Sequence, residues 1–229
     1  MKFVGTEAVV TGANRGLGQS LVRALAKTGT SRIYAGARNR FQLPDYGPQT
    51  SILPLELDIT DSRQVARSAS SASGVTLLIN NAGFLPRGGA MSVSEQDLHA
   101  AIEVNLLGAW RMIRAFAPVI EANGGGVIVN ILSLISLQNA SAFAAYSAAK
   151  QASWAMTQSF RSDLAGSRVR VVACFPGGID TEMLQGVPVM KANPDSVAHS
   201  IVEAIMRGDR EIFPDIVSAA HGAALLGIG

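Results

Sequence analysis

A single cysteine in 229 residues, Cys174, excludes an intrachain disulfide. Its apolar setting, Val171-Val172-Ala173-Cys174-Phe175, places it in a buried strand as an inert thiol. Charge is also scarce: charged residues make up 16% of the chain and the net charge is only +2. The arginines are scattered (Arg15, Arg23, Arg38, Arg63, Arg111, Arg161, Arg207) and form no stripe that would track a phosphate backbone, so nucleic acid is not an expected partner. No uncharged apolar run approaches the ~20 residues that cross a bilayer, and no membrane association is expected. Glu7 breaks any amino-terminal apolar stretch of the signal-peptide kind, which makes the cytoplasm the expected location. His99, His199 and His221 lie far apart without ligand spacing, so no metal site is expected. Repeats, low-complexity tracts and interdomain linkers are missing too. With 48% hydrophobic residues, residues 1–229 read as one domain with a large core.

Short β-branched or aliphatic runs are present in number: Ala8-Val9-Val10, Arg32-Ile33-Tyr34-Ala35, Ser51-Ile52-Leu53, Thr76-Leu77-Leu78-Ile79, Gly126-Val127-Ile128-Val129-Asn130-Ile131 and Val169-Arg170-Val171-Val172-Ala173. Several are apolar on both faces, as buried parallel strands are. Amphipathic helical patterns separate most of them, one carrying Leu17, Leu21 and Leu25, another running from about Ser94 to Glu121 with Leu98, Ile102, Leu106, Trp110 and Ile113. This alternation predicts an α/β fold with a doubly wound parallel sheet. Gly29, Gly124-Gly125-Gly126 and Gly166 are placed to end helices. Pro44, Gly47 and Pro48 deny the crossover between the second and third strands a long helix.

Thr11-Gly12-Ala13-Asn14-Arg15-Gly16-Leu17-Gly18 follows the first strand and opens the first helix. Glycines there allow a tight turn and let phosphate oxygens approach backbone N–H groups at a helix N-terminus, although the turn alone also suits a purely structural helix start. At the end of the second strand, NAD sites usually present a carboxylate to the ribose 2′-hydroxyl, whereas a 2′-phosphate calls for cations. Ala37-Arg38 stands there, Arg15 lies in the glycine turn, and no acid is close to either in sequence. Two guanidinium groups favour NADP(H) over NAD(H); the alternative is that both are solvated surface residues. Farther along, Tyr146 and Lys150 lie four residues apart in an alanine-rich stretch that predicts a helix, which puts both on one face. An ammonium beside a phenol stabilises the phenolate, so Lys150 is expected to lower the Tyr146 pKa.

Taken together these residues resemble the classical short-chain dehydrogenase/reductase family from Thr6 to about Thr181. The shared motifs occur in the family's order: the Thr11 to Gly18 turn, Asp58 in Leu57-Asp58-Ile59-Thr60, Asn80-Asn81-Ala82-Gly83, and Asn105 in Val104-Asn105-Leu106-Leu107-Gly108. Ser133 follows, then Tyr146-x-x-x-Lys150 thirteen residues later (146 minus 133), and Pro176-Gly177 with Thr181. The resemblance implies a Rossmann fold and a hydride-transferring, NADP(H)-dependent oxidoreductase. It implies that Gly12, Asn14, Arg15, Gly16, Leu17, Gly18 and Arg38 hold the phosphates, that Asp58 and Ile59 meet the adenine, and that Asn81, Ala82 and Gly83 line the adenosine ribose. Pro176, Gly177, Ile179 and Thr181 would embrace the nicotinamide. Asn105, Ser133, Tyr146 and Lys150 would form the catalytic tetrad, with Tyr146 as general acid/base and Lys150 also holding the nicotinamide ribose.

Phe84, Leu85, Leu134, Leu137, Phe143, Met183 and Leu184 flank the tetrad as candidate substrate contacts. They are apolar, which suits small, mainly apolar aldehydes, ketones or secondary alcohols. Only twelve residues separate Thr181 from Pro194, so the lid is short. The tail, Arg210-Glu211-Ile212-Phe213-Pro214-Asp215, departs from the Asp-Gly-Gly ending common among 3-oxoacyl-carrier-protein reductases, which remain an alternative alongside a non-catalytic NADP(H) sensor and a scaffold protein. The Ala142 to Leu164 helix, with Ala152, Trp154, Ala155 and Met156, could pair with its twin, and a homodimer or homotetramer is expected.

Overall fold

Runs that are apolar on both faces need cover on both, and the chain supplies it. The computed structural model describes residues 3–46 and 51–227. Seven strands, β1 (Glu7–Thr11), β2 (Arg32–Ala37), β3 (Ile52–Glu56), β4 (Leu77–Asn80), β5 (Gly126–Ile131), β6 (Val169–Cys174) and β7 (Glu211–Ile212), form one parallel sheet in the order β3-β2-β1-β4-β5-β6-β7. Alternate residues serve opposite faces. Ala8, Val10, Leu77, Ile79, Val127 and Val129 pack with Leu17, Leu21 and Leu25 of α1 (Gly16–Ala26) and with Val197, Ile201 and Ile205 of α6 (Pro194–Arg207). Val9, Leu78 and Ile128 turn the other way, onto Val65 of α2 (Ser62–Ser71) and Met112, Phe116 and Ile120 of α4 (Ala109–Ala122). The doubly wound reading is confirmed.

Order reverses between β1 and β4, which are neighbours although two strands intervene in sequence. Crevices for ligands form outside the carboxyl ends of strands at such a point. The halves are sutured there by Thr11 and Asn81: the Asn81 and Ala82 N–H groups donate to Thr11 Oγ1 at 2.9 and 3.0 Å, and Asn81 Nδ2 donates to the Thr11 carbonyl at 2.9 Å. In the crossover from β2 to β3, a single 3-10 turn (Arg40–Gln42) is the only helical element among the described residues. Gly47 and Pro48 lie outside the described residues.

The helix expected between Ser94 and Glu121 is interrupted. It consists of α3 (Glu95–Ile102), a π-helical turn over Glu103–Gly108, and α4. The strand β7 was not expected, because two residues carry no periodicity. It is nonetheless firmly docked: Phe175 N–H donates to the Ile212 carbonyl at 2.8 Å, and Arg161 Nη1 reaches Glu211 Oε1 at 2.7 Å. Behind it, Phe175 lies edge-on to Trp154 at 5.1 Å and stacks on Phe213 at 5.5 Å. A Cβ on Gly222 would stand 2.1 Å from the Phe213 ring, so α7 (Ile216–Leu226) closes on this cluster as tightly as backbone allows.

Candidate active site

The glycine turn is shaped for close approach. Gly12 and Gly16 have φ of 66° and 54°, in the left-handed region that favours glycine, and a Cβ on Gly18 would fall 2.1 Å from the Gly12 carbonyl. Asp61, Ser94, Asn193 and Asp215 cap α2, α3, α6 and α7 with their side chains, whereas Arg15 at the start of α1 caps nothing. The first N–H groups of α1 are thus left to an outside acceptor, and an uncapped helix N-terminus favours an anion. A dinucleotide pyrophosphate fits this cradle.

Arg15 itself departs from expectation. Its Nη1 lies 2.6 Å from Glu182 Oε2, an acid 167 residues away in sequence and therefore invisible to a search of local neighbours. Both side chains are two-thirds exposed, 66% and 67%, so water screens the pair and a phosphate can displace it. Arg38 stands exposed at the end of β2. Opposite the turn, a Cβ on Gly16 would stand 3.0 Å from Thr181 Cγ2, so the segment after β6 crosses in front of the α1 N-terminus. The lid is closed at its base by Asp180 N–H to the Ala192 carbonyl (2.9 Å) and Ala192 N–H to the Gly178 carbonyl (2.8 Å). Asp58 Oδ1 accepts from Thr60 N–H and Oγ1 at 2.9 and 2.7 Å, which fixes its turn, and the Ile59 side chain fills the space that Gly108 leaves bare.

Asn105, Ser133, Tyr146 and Lys150 are all buried at the carboxyl side of β4 and β5. Asn105 sits inside the π turn. Its Nδ2 donates to the Ala101 carbonyl one turn back (2.9 Å) and to the Phe84 carbonyl (2.7 Å), while its Oδ1 accepts from Phe84 N–H (3.2 Å). One amide thereby widens the helix and grips the loop that carries Phe84 and Leu85; π turns of this kind recur at functional sites. The carbonyl of Asn105 is taken by Ser153 Oγ at 3.0 Å. Ser133 caps a 3-10 turn (Leu134–Ser136), its Oγ accepting from Ile135 N–H at 3.2 Å. Tyr146 and Lys150 lie one turn apart on α5 (Ala144–Asp163), as the alanine-rich run predicts.

The electrostatics of that pair run against the expectation from spacing. Burial pushes the Tyr146 phenol well above the ordinary tyrosine range, and the Ser133 hydrogen bond only partly opposes it. Lys150 Nζ is 5.6 Å from the Tyr146 ring centroid and donates to the Ile131 carbonyl at 2.7 Å. Burial pushes its pKa down to about 8, with Cys174 acting the other way. Desolvation outweighs the charge pairing that spacing implied, which favours the neutral phenol of Tyr146.

Sequence reading missed a polar ladder behind the tetrad. Asn80 and Asn130 face each other in the β4–β5 register. Asn80 Nδ2 donates to Asn130 Oδ1 (2.9 Å), Asn130 Nδ2 to Thr157 Oγ1 (2.9 Å), and Thr157 Oγ1 to the Ser153 carbonyl (2.7 Å). Among the described residues, Asn80 Oδ1 has no hydrogen-bond partner. It lines a cavity of about 20 Å³ together with Asn105, Asn130, Lys150 and Ser153, enough for one water. The available signal was an asparagine at the end of one buried strand and next to the end of its neighbour.

Of the expected substrate contacts, Phe84 and Met183 are partly exposed at 36% and 42% and mark the mouth of the site. A Cβ on Gly83 would stand 3.8 Å from Met183 Cε, so the lid methionine reaches over the Gly83-Phe84 loop. Leu85, Phe143 and Leu184 are half-buried and Leu134 is buried. Leu137 instead packs with Leu132 and Phe175 in the cluster that also takes Trp154, so neither of those side chains is free in the way the sequence suggested.

The short chain dehydrogenase family profile matches residues 6–192. The chain belongs to the short-chain dehydrogenase family. An uncharacterized oxidoreductase of Myxococcus xanthus is 30% identical over 221 residues, 90% of this chain and 87% of that one. A 3-oxoacyl-[acyl-carrier-protein] reductase of Thermotoga maritima is 28% identical over 82% of this chain and 80% of its own. Among solved structures, a short chain dehydrogenase from Burkholderia cenocepacia in complex with NADP superposes with a TM-score of 0.91 at 40% identity, covering 98% of this chain and 94% of that one. Among the described residues, no helix is long and apolar enough to cross a membrane.

Proposed function

We propose that this short-chain dehydrogenase is an NADP(H)-dependent oxidoreductase that moves a hydride between the nicotinamide and the carbonyl or alcohol carbon of a small, mainly apolar substrate. The observation that carries the proposal is the burial together of Asn105, Ser133, Tyr146 and Lys150 on the same crevice as the uncapped N-terminus of α1. NADP in the 40%-identical Burkholderia structure supports the cofactor. NADPH supplies the hydride. Gly12 to Gly18 hold the pyrophosphate, Arg15 and Arg38 meet the 2′-phosphate, and Asp58, Ile59 and Asn81 to Gly83 line the adenosine. Ser133 and Tyr146 aim two donors at the substrate oxygen where negative charge develops. Tyr146 gives that oxygen its proton in reduction and takes it back in oxidation. Lys150 holds the ribose through its ammonium, and Asn105 keeps the loop and the π turn in register. The cavity bounded by Asn80, Asn105 and Lys150 provides the place where a water can return a proton toward Lys150.

The walls contributed by Phe84, Leu134, Phe143, Met183 and Leu184 carry no charge, which favours apolar ketones and aldehydes. The Thermotoga relative, a 3-oxoacyl-[acyl-carrier-protein] reductase, adds 3-oxoacyl thioesters to the substrates worth testing. Two copies of α5 could pair through exposed Ala148, Gln151 and Ala155. NADPH oxidation followed at 340 nm with a panel of ketones, aldehydes and a 3-oxoacyl thioester tests the proposal. Turnover with one class supports it; tight NADPH binding with no turnover on any member would instead make the protein a sensor.

Arg38→Asp is expected to lower the ratio of kcat/KM for NADPH over NADH by about 100-fold, the scale of one charge-assisted phosphate contact replaced by repulsion. An unchanged ratio would remove Arg38 from the 2′-phosphate site. Glu182→Gln frees Arg15 and should tighten NADPH by about threefold, because an exposed pair competes only weakly; titration by nicotinamide fluorescence reads this, and weaker binding would contradict the competition.

A further inference from the structure

We infer that Asp215, supplied by the segment after β7, is a positioning residue for the nicotinamide side of the crevice. The Pro176-Gly177 peptide is held at both ends. Its carbonyl accepts from Leu134 N–H at 3.0 Å, with Ser133 Oγ at the 3.5 Å edge of hydrogen-bond range, and its N–H donates to Asp215 Oδ2 at 2.8 Å. This peptide therefore joins the serine that faces the substrate to a carboxylate from the last helix, and Asp215 sets the plane in which it presents itself. The approach is close: a Cβ on Gly177 would stand 2.9 Å from Asp215 Oδ1, so glycine is required for the carboxylate to come this near.

Asp215 is 91% buried (9% exposed), and among the described residues the donors to its carboxylate come from two. Besides Gly177 N–H these are Ser218 N–H on Oδ1 (3.0 Å) and Ser218 Oγ on Oδ2 (2.8 Å). Helix capping alone explains the Ser218 contacts, since serine or asparagine would satisfy the same N–H. It does not explain the second oxygen reaching 38 residues back to Gly177. The carboxylate cannot drift, because Phe213 is clamped between Phe175 and Gly222 and Phe175 N–H is tied to the Ile212 carbonyl. A rigid support behind a binding group is what keeps its geometry within the tolerance of the chemistry.

The inference rests on the reading that Pro176 to Thr181 embrace the nicotinamide, and its test separates the two. Asp215→Ser keeps a good cap for α7 but is too short to reach Gly177. It is expected to weaken NADPH about tenfold by nicotinamide fluorescence while leaving adenosine 2′,5′-bisphosphate, which lacks the nicotinamide, within about twofold in a calorimetric titration. Asp215→Asn retains one carbonyl oxygen and should recover part of the loss. Ser218→Ala removes the hydroxyl of the capping box and should lower the melting temperature with NADPH affinity intact. Unchanged NADPH affinity in Asp215→Ser, or equal losses for both ligands, would reduce Asp215 to a structural cap. Wild-type protein that binds neither ligand would overturn the cofactor reading itself, and this one with it.

Discussion

Lys150→Met is expected to melt at a higher temperature than the wild type at neutral pH while losing its oxidoreductase activity. The lysine is buried, with its pKa pushed down from 10.5 to about 8, a difference that corresponds to about 3 kcal/mol of unfavourable burial while the amine stays protonated. Methionine has a similar length and no charge to desolvate. The loss of the charged hydrogen bond to the Ile131 carbonyl costs about 2 kcal/mol, which leaves a net gain of about 1 kcal/mol, or about 3 °C in a chain of this size. The sign of the pH dependence follows from linkage. Between about pH 8 and 10.5 the unfolded chain still binds the lysine proton and the folded one has released it, so wild-type stability rises with pH across that window. The advantage of Lys150→Met should therefore be largest below pH 8 and shrink toward pH 10. A variant that melts lower than the wild type at pH 7, or a gap that does not close, would show that the site does not strain to hold a charge. A residue kept at such a cost is kept for function.

Tyr146→Phe should lower kcat by about 1000-fold, within the range for removing a general acid, and leave NADPH affinity within about twofold. Phenylalanine preserves the ring packed on α5 and takes away only the proton that Ser133 helps to orient. Because burial already holds the phenol protonated, the missing group is an acid first, so single-turnover reduction measured by stopped-flow absorbance should show the full loss. Near-normal turnover would sink the assignment of Tyr146, whatever the binding data say.

How far these residues could be read from sequence depends on the range of the interaction. The glycine turn, the Asn-Asn-Ala-Gly segment and the Tyr146 and Lys150 pair are local patterns, and the structure puts them on the elements that local patterns predict. The apolar runs likewise announce their strands, except β7, whose two residues are strand only because Ala173 and Cys174 pair with them. Long-range partners are a different matter. Glu182 beside Arg15, Asp215 beneath Gly177, and the Asn80–Asn130–Thr157 ladder join residues tens of positions apart, and nothing in their surroundings predicts the meeting. Depth is hidden as well. Spacing correctly placed Lys150 one turn from Tyr146, but only the packing around them shows that desolvation dominates both. The break at Asn105 was legible as a motif and not as geometry, since the extra residue in its turn is set by the Phe84 backbone it has to grip.

The seam between β1 and β4 has a consequence for how the protein can open. The glycine turn on one side of the seam and Tyr146 and Lys150 on the other belong to one continuous sheet, stitched by Thr11 and Asn81, so the two sides do not swing apart at this point. Access must come from the short stretch beyond Thr181, whose outer fastenings are the exposed Arg15–Glu182 pair and the Arg87 hydrogen bond to the Gln185 carbonyl. Gating is thereby confined to a dozen residues and to screened, surface contacts. Under the proposed function, ionic strength then acts on the rate at which ligands leave, while the proposed hydride step at the carboxyl ends of β4 and β5 is insulated from it.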